Sequence, residues 1–266
     1  MMIVFARNIS CKVALIILLM ILAAYQLKGS ENRVYIDPHS KDSALRNGTI
    51  DNPFASWEEV NITSNCTYLI KCSSELSLRQ TLHIYGKTNI TISSYGEGKA
   101  PIIQAGGLKR VVDIYNSQHI QMKNIHLIGN GNNIFGIRIK GDSRNITINQ
   151  CHISRFLWGI RLMGYSKEVT LERITVEKTL IEEIADDGIF AQHVAGLVID
   201  SCVIRKVNQK WFRQGRSEAQ APGDGVQLIK CNGFTINYCQ IDRSDTGNKC
   251  CIMANKSSNG TIKNNT

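Results

Sequence analysis

Along most of this chain, apolar residues fall at every second position in short bursts, and the bursts recur. The stretch Asn145-Ile146-Thr147-Ile148-Asn149-Gln150-Cys151-His152-Ile153 has counterparts beginning at His119, Glu168, Gly196 and Gly233. Their first apolar residues, Ile120, Ile146, Val169, Leu197 and Phe234, are 26, 23, 28 and 37 residues apart. A second phrase is interleaved: Gly136-Ile137-Arg138-Ile139, Gly159-Ile160-Arg161-Leu162, Gly188-Ile189-Phe190-Ala191 and Gly225-Val226-Gln227-Leu228. Strict alternation turns one side of each burst inward, as in a strand. The glycine opening the second phrase is expected to supply the positive φ of a tight corner. Two strands per repeat, at a period in the twenties, predict coils that bury their apolar side only by stacking. Parallel crossovers are right-handed. The expected fold is all-β: a right-handed single-stranded parallel β-helix.

The pattern divides the chain. Residues 1–30 read as a secretory signal, with Arg7 and Lys12 ahead of an apolar run from Val13 to Ala24. That run is too short for a comfortable membrane span. The chain is therefore expected to be secreted, periplasmic or displayed at the cell surface. Residues 31–80 lack the repeat and are assigned to an N-terminal cap. Its short helix starts at the capping box Ser56-Trp57-Glu58-Glu59. Residues 81–266 form the repeat domain. Gly260-Thr261-Ile262-Lys263 opens a further coil, so this domain is expected to be cut short at Thr266.

The net charge of +9 over 266 residues suits an acidic partner: a polysaccharide, a nucleic acid or a lipid headgroup. No P-loop, dinucleotide fingerprint or zinc-protease motif is present. Nine cysteines suggest disulfides, but Cys151, Cys202 and Cys239 share a repeat position with Ile125 and Ile174. Residues that exchange with isoleucine are expected to be buried free thiols. Whether Cys66 pairs with Cys72 stays open.

Aligning the second phrase stacks Asp187, Asp224 and Cys250 in one column, and Asp186, Gly223 and Lys249 in the column before it. Carboxylates on adjacent coils repel unless a cation or proton relieves them. Asp186, Asp187 and Asp224 are thus candidate calcium ligands, and an Asp-Gly corner with no ligand is the competing reading. The long connection from Arg205 to Gly223 carries Trp211, Arg213 and Arg216, suited to stacking on a sugar and pairing with a carboxylate.

The Asn-Ile-Thr-Ile and Gly-Ile-Arg-Ile phrases resemble pectate-lyase-like β-helix proteins over roughly residues 80–266. The resemblance implies a polysaccharide partner, above all a uronate-containing one cleaved by β-elimination. Asn255-Lys256-Ser257-Ser258, with Asn264-Asn265-Thr266, is similar to the alginate lyase and chondroitinase B family. That similarity implies Lys256 as catalytic base, with Lys249 the alternative and Arg243 or Arg216 neutralising the substrate carboxylate. The family's calcium-binding glutamates fall on Lys249 and Cys251, a departure from its pattern. Clustered aspartates also resemble polygalacturonases, although their Gly-His-Gly segment is missing. A glycoside hydrolase and a non-catalytic carbohydrate-binding or adhesin solenoid therefore stay open. A monomer is expected, with no nucleic acid and no stable membrane span.

Overall fold

The computed structural model describes residues 32–41, 44–166, 171–207, 223–242 and 250–266. The proposed signal segment, and with it Trp211, Arg213, Arg216, Arg243 and Lys249, lies outside them.

Three parallel sheets wind into a right-handed β-helix of about seven coils. The first has nine strands, from Asn32–Ile36 to Thr261–Lys263. The second has seven, from Leu82–Tyr85 to Ile252–Asn255, and the third seven, from Glu75–Ser77 to Gln240–Ile241. Within each sheet every strand pairs with its counterpart on the next coil, so the repeat of the sequence is the order of the sheet. Strands Cys66–Lys71 and Glu75–Ser77 already pair with Thr88–Tyr95 and Ile102–Gln104. The first coil thus begins inside the segment assigned to the cap.

The inward positions make one continuous core. Ile137, Ile160, Ile189 and Val226 stack in the second sheet, and Ile120, Ile146, Ile174 and Leu197 in the first. All are buried. Each such side chain contributes roughly 1.5–3 kcal/mol through the apolar area it removes from water. At the N-terminal end Trp57 is buried with its ring 5.7 Å from that of Tyr68. The helix that carries it is one 3-10 turn, Trp57–Glu59. The expected capping box is not formed as such: Ser56 makes no side-chain cap, and its hydroxyl donates instead to Glu59 Oε1 at 3.3 Å.

Two register expectations change. The third counterpart in the first sheet is anchored on Ile174, not Val169, which lies outside the described residues. Cys151 and Cys202 then align with Thr179 rather than Ile174, and Thr179 Oγ1 accepts the Cys151 amide at 3.4 Å. The eight described cysteines are all free thiols, including Cys66 and Cys72.

The glycine column also has a different cause from the one expected. Gly136, Gly159, Gly188 and Gly225 do not have positive φ. A Cβ on Gly159 would instead lie 2.6 Å from the Gly188 carbonyl oxygen and 2.8 Å from Ile181 Cγ2. On Gly188 it would lie 2.6 Å from the Gly225 oxygen. These glycines exist because the next coil occupies the Cβ position. The left-handed corners fall elsewhere, largely on residues with side chains. Asn89, His119, Asn145 and Arg173 form one column, with φ of 54°, 56°, 54° and 52°. Arg173 Nε donates to Asn145 Oδ1 there at 2.6 Å.

On the outer face of the third sheet, His126 and His152 stack at 3.7 Å between ring centroids. Burial, and then the neighbouring His152, pull the His126 pKa down to about 4, against an opposing pull from Glu182. The folded state therefore prefers neutral His126. Its contribution is complete above the ordinary histidine range and is lost as pH falls from about 6.5 toward 4. His126→Gln is expected to flatten the wild-type fall in Tm between about pH 7 and pH 5. The difference should be roughly 1–2 kcal/mol after discounting for solvent screening, or about 2–8 °C. Parallel Tm curves for the two proteins would remove His126 as a source of acid sensitivity.

Candidate functional site

The outward positions of the second sheet gather chemistry in two adjacent columns. One runs Arg110, Phe135 and Trp158, continuing to Asp187 and Asp224 at the strand entries. The other runs Asp113, Arg138, Arg161, Phe190 and Gln227. Arg138 and Arg161 point outward because they alternate with the inward isoleucines; the phase changes at the phrase glycine, which is itself buried, so the residue before it faces outward as well.

Asp187 and Asp224 meet as the sequence columns anticipated. The Asp224 amide donates to Asp187 Oδ1 at 2.7 Å. The Cys250 amide donates to Asp224 Oδ1 at 3.0 Å, and Gln227 Nε2 to its Oδ2 at 3.1 Å. Asp186 stands over Gly223, where any Cβ would overlap the Asp186 backbone. Asp187 and Asp224 are buried, while Asp186 is half-buried. Burial, and then the charges of Asp186 and Asp224, push the Asp187 pKa up to about 7. The Asp224 amide and the Trp158 indole N–H, both donating to this carboxyl, pull the other way. A carboxylic acid that keeps its proton near neutrality can give it away there.

The residues around this acid were not singled out by the sequence. Trp158 and Phe135 stack at 5.3 Å with rings 17° apart. Both are half-buried, so part of this pair remains open to solvent. The Arg161 guanidinium lies over Trp158 at 4.3 Å and Phe190 at 4.9 Å. Further along, Arg138 holds Asp113 with two bonds of 2.8 and 2.6 Å, and Tyr85 donates to the same carboxylate at 2.5 Å. Burial alone would raise the Asp113 pKa, but Arg138 and Tyr85 keep it below the usual carboxylate range. Asp113 is thus a fixed anion and Asp187 a proton holder, on one face. A usable signal was in the chain: Phe135, Trp158, Asp187 and Asp224 each immediately precede the phrase glycine.

Lys256 is elsewhere. It turns the corner after the strand Ile252–Asn255, with φ 50°, and shares that column with Lys230 and His193. The three line a groove of about 620 Å³. The aspartates stand at the entry of these strands and the lysines at the exit. At about 3.3 Å per residue, Asp224 and Lys230 are roughly 15–20 Å apart. The described residues of the expected elimination site therefore fall into two places. Among the described residues no three His, Cys, Asp or Glu side chains are grouped as metal donors. The oxygens of Asp187 and Asp224 face amide and indole donors instead.

No family profile matches the sequence, and no curated protein matches it. Solved structures do. The GH136 lacto-N-biosidase from Eubacterium ramulus superposes with a TM-score of 0.68 at 15% identity, over 96% of this chain and 58% of that one. A rhamnogalacturonan lyase gives 0.59 at 17% identity, over 87% of this chain and 62% of that one. Pectate lyase Pel9A gives 0.53 at 11% identity, over 89% and 80%. These likenesses show the fold. The chain spans 58% of the length of the lacto-N-biosidase structure.

Proposed function

We propose that this chain is a carbohydrate-acting β-helix protein that hydrolyses a glycosidic bond on the outer face of its second sheet. Asp187 is the general acid that protonates the leaving oxygen. Asp186, half-buried beside it, is the base or nucleophile of the pair that glycoside hydrolysis requires. Asp224 is held by two donors, and its charge helps Asp187 keep its proton. Trp158 and Phe135 offer a flat apolar surface on which a sugar ring stacks. The observation that carries the reading is the carboxyl group of Asp187, protonated up to about pH 7 beside that surface. Fold-level support comes from the solved structures of a lacto-N-biosidase, a rhamnogalacturonan lyase and a pectate lyase. The basic and apolar start of the chain supports an exported protein, here taken as a monomer.

One observation favours β-elimination as the second reading: Lys256, its candidate base, faces the groove shared with Lys230 and His193. In that reading calcium at Asp186, Asp187 and Asp224 belongs to the reaction. The two are separated by incubating the full chain with a panel of polysaccharides, with and without a chelator. Hydrolysis is expected to release reducing ends without ultraviolet absorbance from unsaturated uronate, and to ignore the chelator. Ultraviolet absorbance that a chelator and Lys256→Ala both remove would replace hydrolysis with calcium-assisted elimination. Binding with neither signal would leave a carbohydrate-binding solenoid.

A further inference from the structure

Arg161 is unusual among the cations of this face. Arg138 has Asp113 as a bidentate partner, and Arg110 lies 3.7 Å from the same carboxylate. Arg161 has no carboxylate within ion-pair distance among the described residues. Its Nε is directed at the thioether of Met163 at 3.1 Å. Its plane is held by rings, at 4.3 Å from Trp158, 4.9 Å from Phe190 and 5.5 Å from Phe135. Ring contacts fix a guanidinium without consuming its in-plane donors. The remaining N–H groups are thus oriented and available to an anion, which a planar fork binds through two parallel bonds.

The charges that Arg161 meets are Asp187, Asp186 and Arg138. Those that Asp187 meets are Asp186 and Asp224, with Arg161 on the neighbouring column and the Trp158 indole as a neutral donor.

We propose that Arg161 is the subsite for an anionic substituent of the sugar stacked on Trp158, a carboxylate or a sulfate. This rests on the site proposed above and adds to it a substrate class.

The test is a fluorescence titration of Trp158 in the full chain. The probes are uronate trisaccharides, sulfated disaccharides and neutral oligosaccharides of matching backbone. At least one anionic probe is expected to bind about tenfold or more tighter than its neutral counterpart. Arg161→Gln is expected to weaken the anionic probe about 10- to 100-fold and to leave neutral probes unchanged. Arg161→Lys, which keeps the charge, should retain part of the affinity and serves as a folding control. The proposal fails if no anionic probe binds, or if Arg161→Gln binds it like the wild type. The carboxylate and sulfate arms identify the substituent. Absence of hydrolysis with Arg161-dependent binding intact would sink the catalytic reading alone.

Discussion

Replacing Asp187 by asparagine is expected to lower kcat on a hydrolysed polysaccharide about 10²- to 10⁴-fold, the usual worth of a positioned general acid. The amide oxygen can still accept the Asp224 N–H seen at 2.7 Å, so the corner should survive and ground-state binding should persist. Two pH effects distinguish this loss from mere damage. The wild type must carry the proton to act, so its kcat should fall as pH rises through about 7. Stability should follow the same proton. The folded pKa lies above the ordinary aspartate value, so the folded state binds the proton more tightly than the unfolded chain does. Stability from this group is complete below about pH 4 and is lost as pH rises toward 7. The loss should be roughly 2–4 kcal/mol. In Asp187→Asn that slope should disappear from Tm measured against pH. Full activity in the variant, or an unchanged slope, would remove Asp187 from the chemistry.

Gly159→Ala is expected to be strongly destabilising. Its new methyl would have to displace the Gly188 carbonyl oxygen at 2.6 Å and Ile181 Cγ2 at 2.8 Å. One contact is backbone on the next coil and the other is buried core, so neither yields cheaply. Overpacking of this kind costs about 1–3 kcal/mol, or roughly 2–12 °C in Tm for a chain of this size. Gly107→Ala is the control. Its Cβ would meet nothing within 4 Å and its φ is not positive, so Tm should stay within about 2 °C. Equal Tm values for the two variants would show that the coil spacing relaxes, and that the glycine column has another cause.

Sequence and structure part company at identifiable residues. The Gly-Ile-Arg-Ile phrase was aligned correctly because its inward isoleucines and its glycine are both compulsory, one for the core and one for coil contact. The first-sheet phrase misled at Val169 because two alternations of opposite phase run together there. Leu171 pairs with Val194, and Ile174 with Leu197. The phase changes at Arg173, in the left-handed region. Asn145 and Gly196 mark the same corner in neighbouring coils with residues that advertise it; arginine does not. The aspartate column was legible from alignment alone, whereas Arg161 was not. Its significance lies in having, among the described residues, no carboxylate partner beside three rings, which only the stacked coils reveal.

Asp187 and Asp224 belong to successive coils, so the amide joining them spans a boundary between two repeats. In a solenoid each repeat is held chiefly by its neighbours, and stability adds up boundary by boundary. Local opening at this one boundary would part the acid from one of the charges that help it keep its proton, without unfolding the rest. The Asp224 N–H should then exchange with solvent deuterium at a rate set by that opening, and a ligand bridging the two coils should slow it. A single backbone amide could thus report, in an otherwise silent scaffold, how often the site is whole.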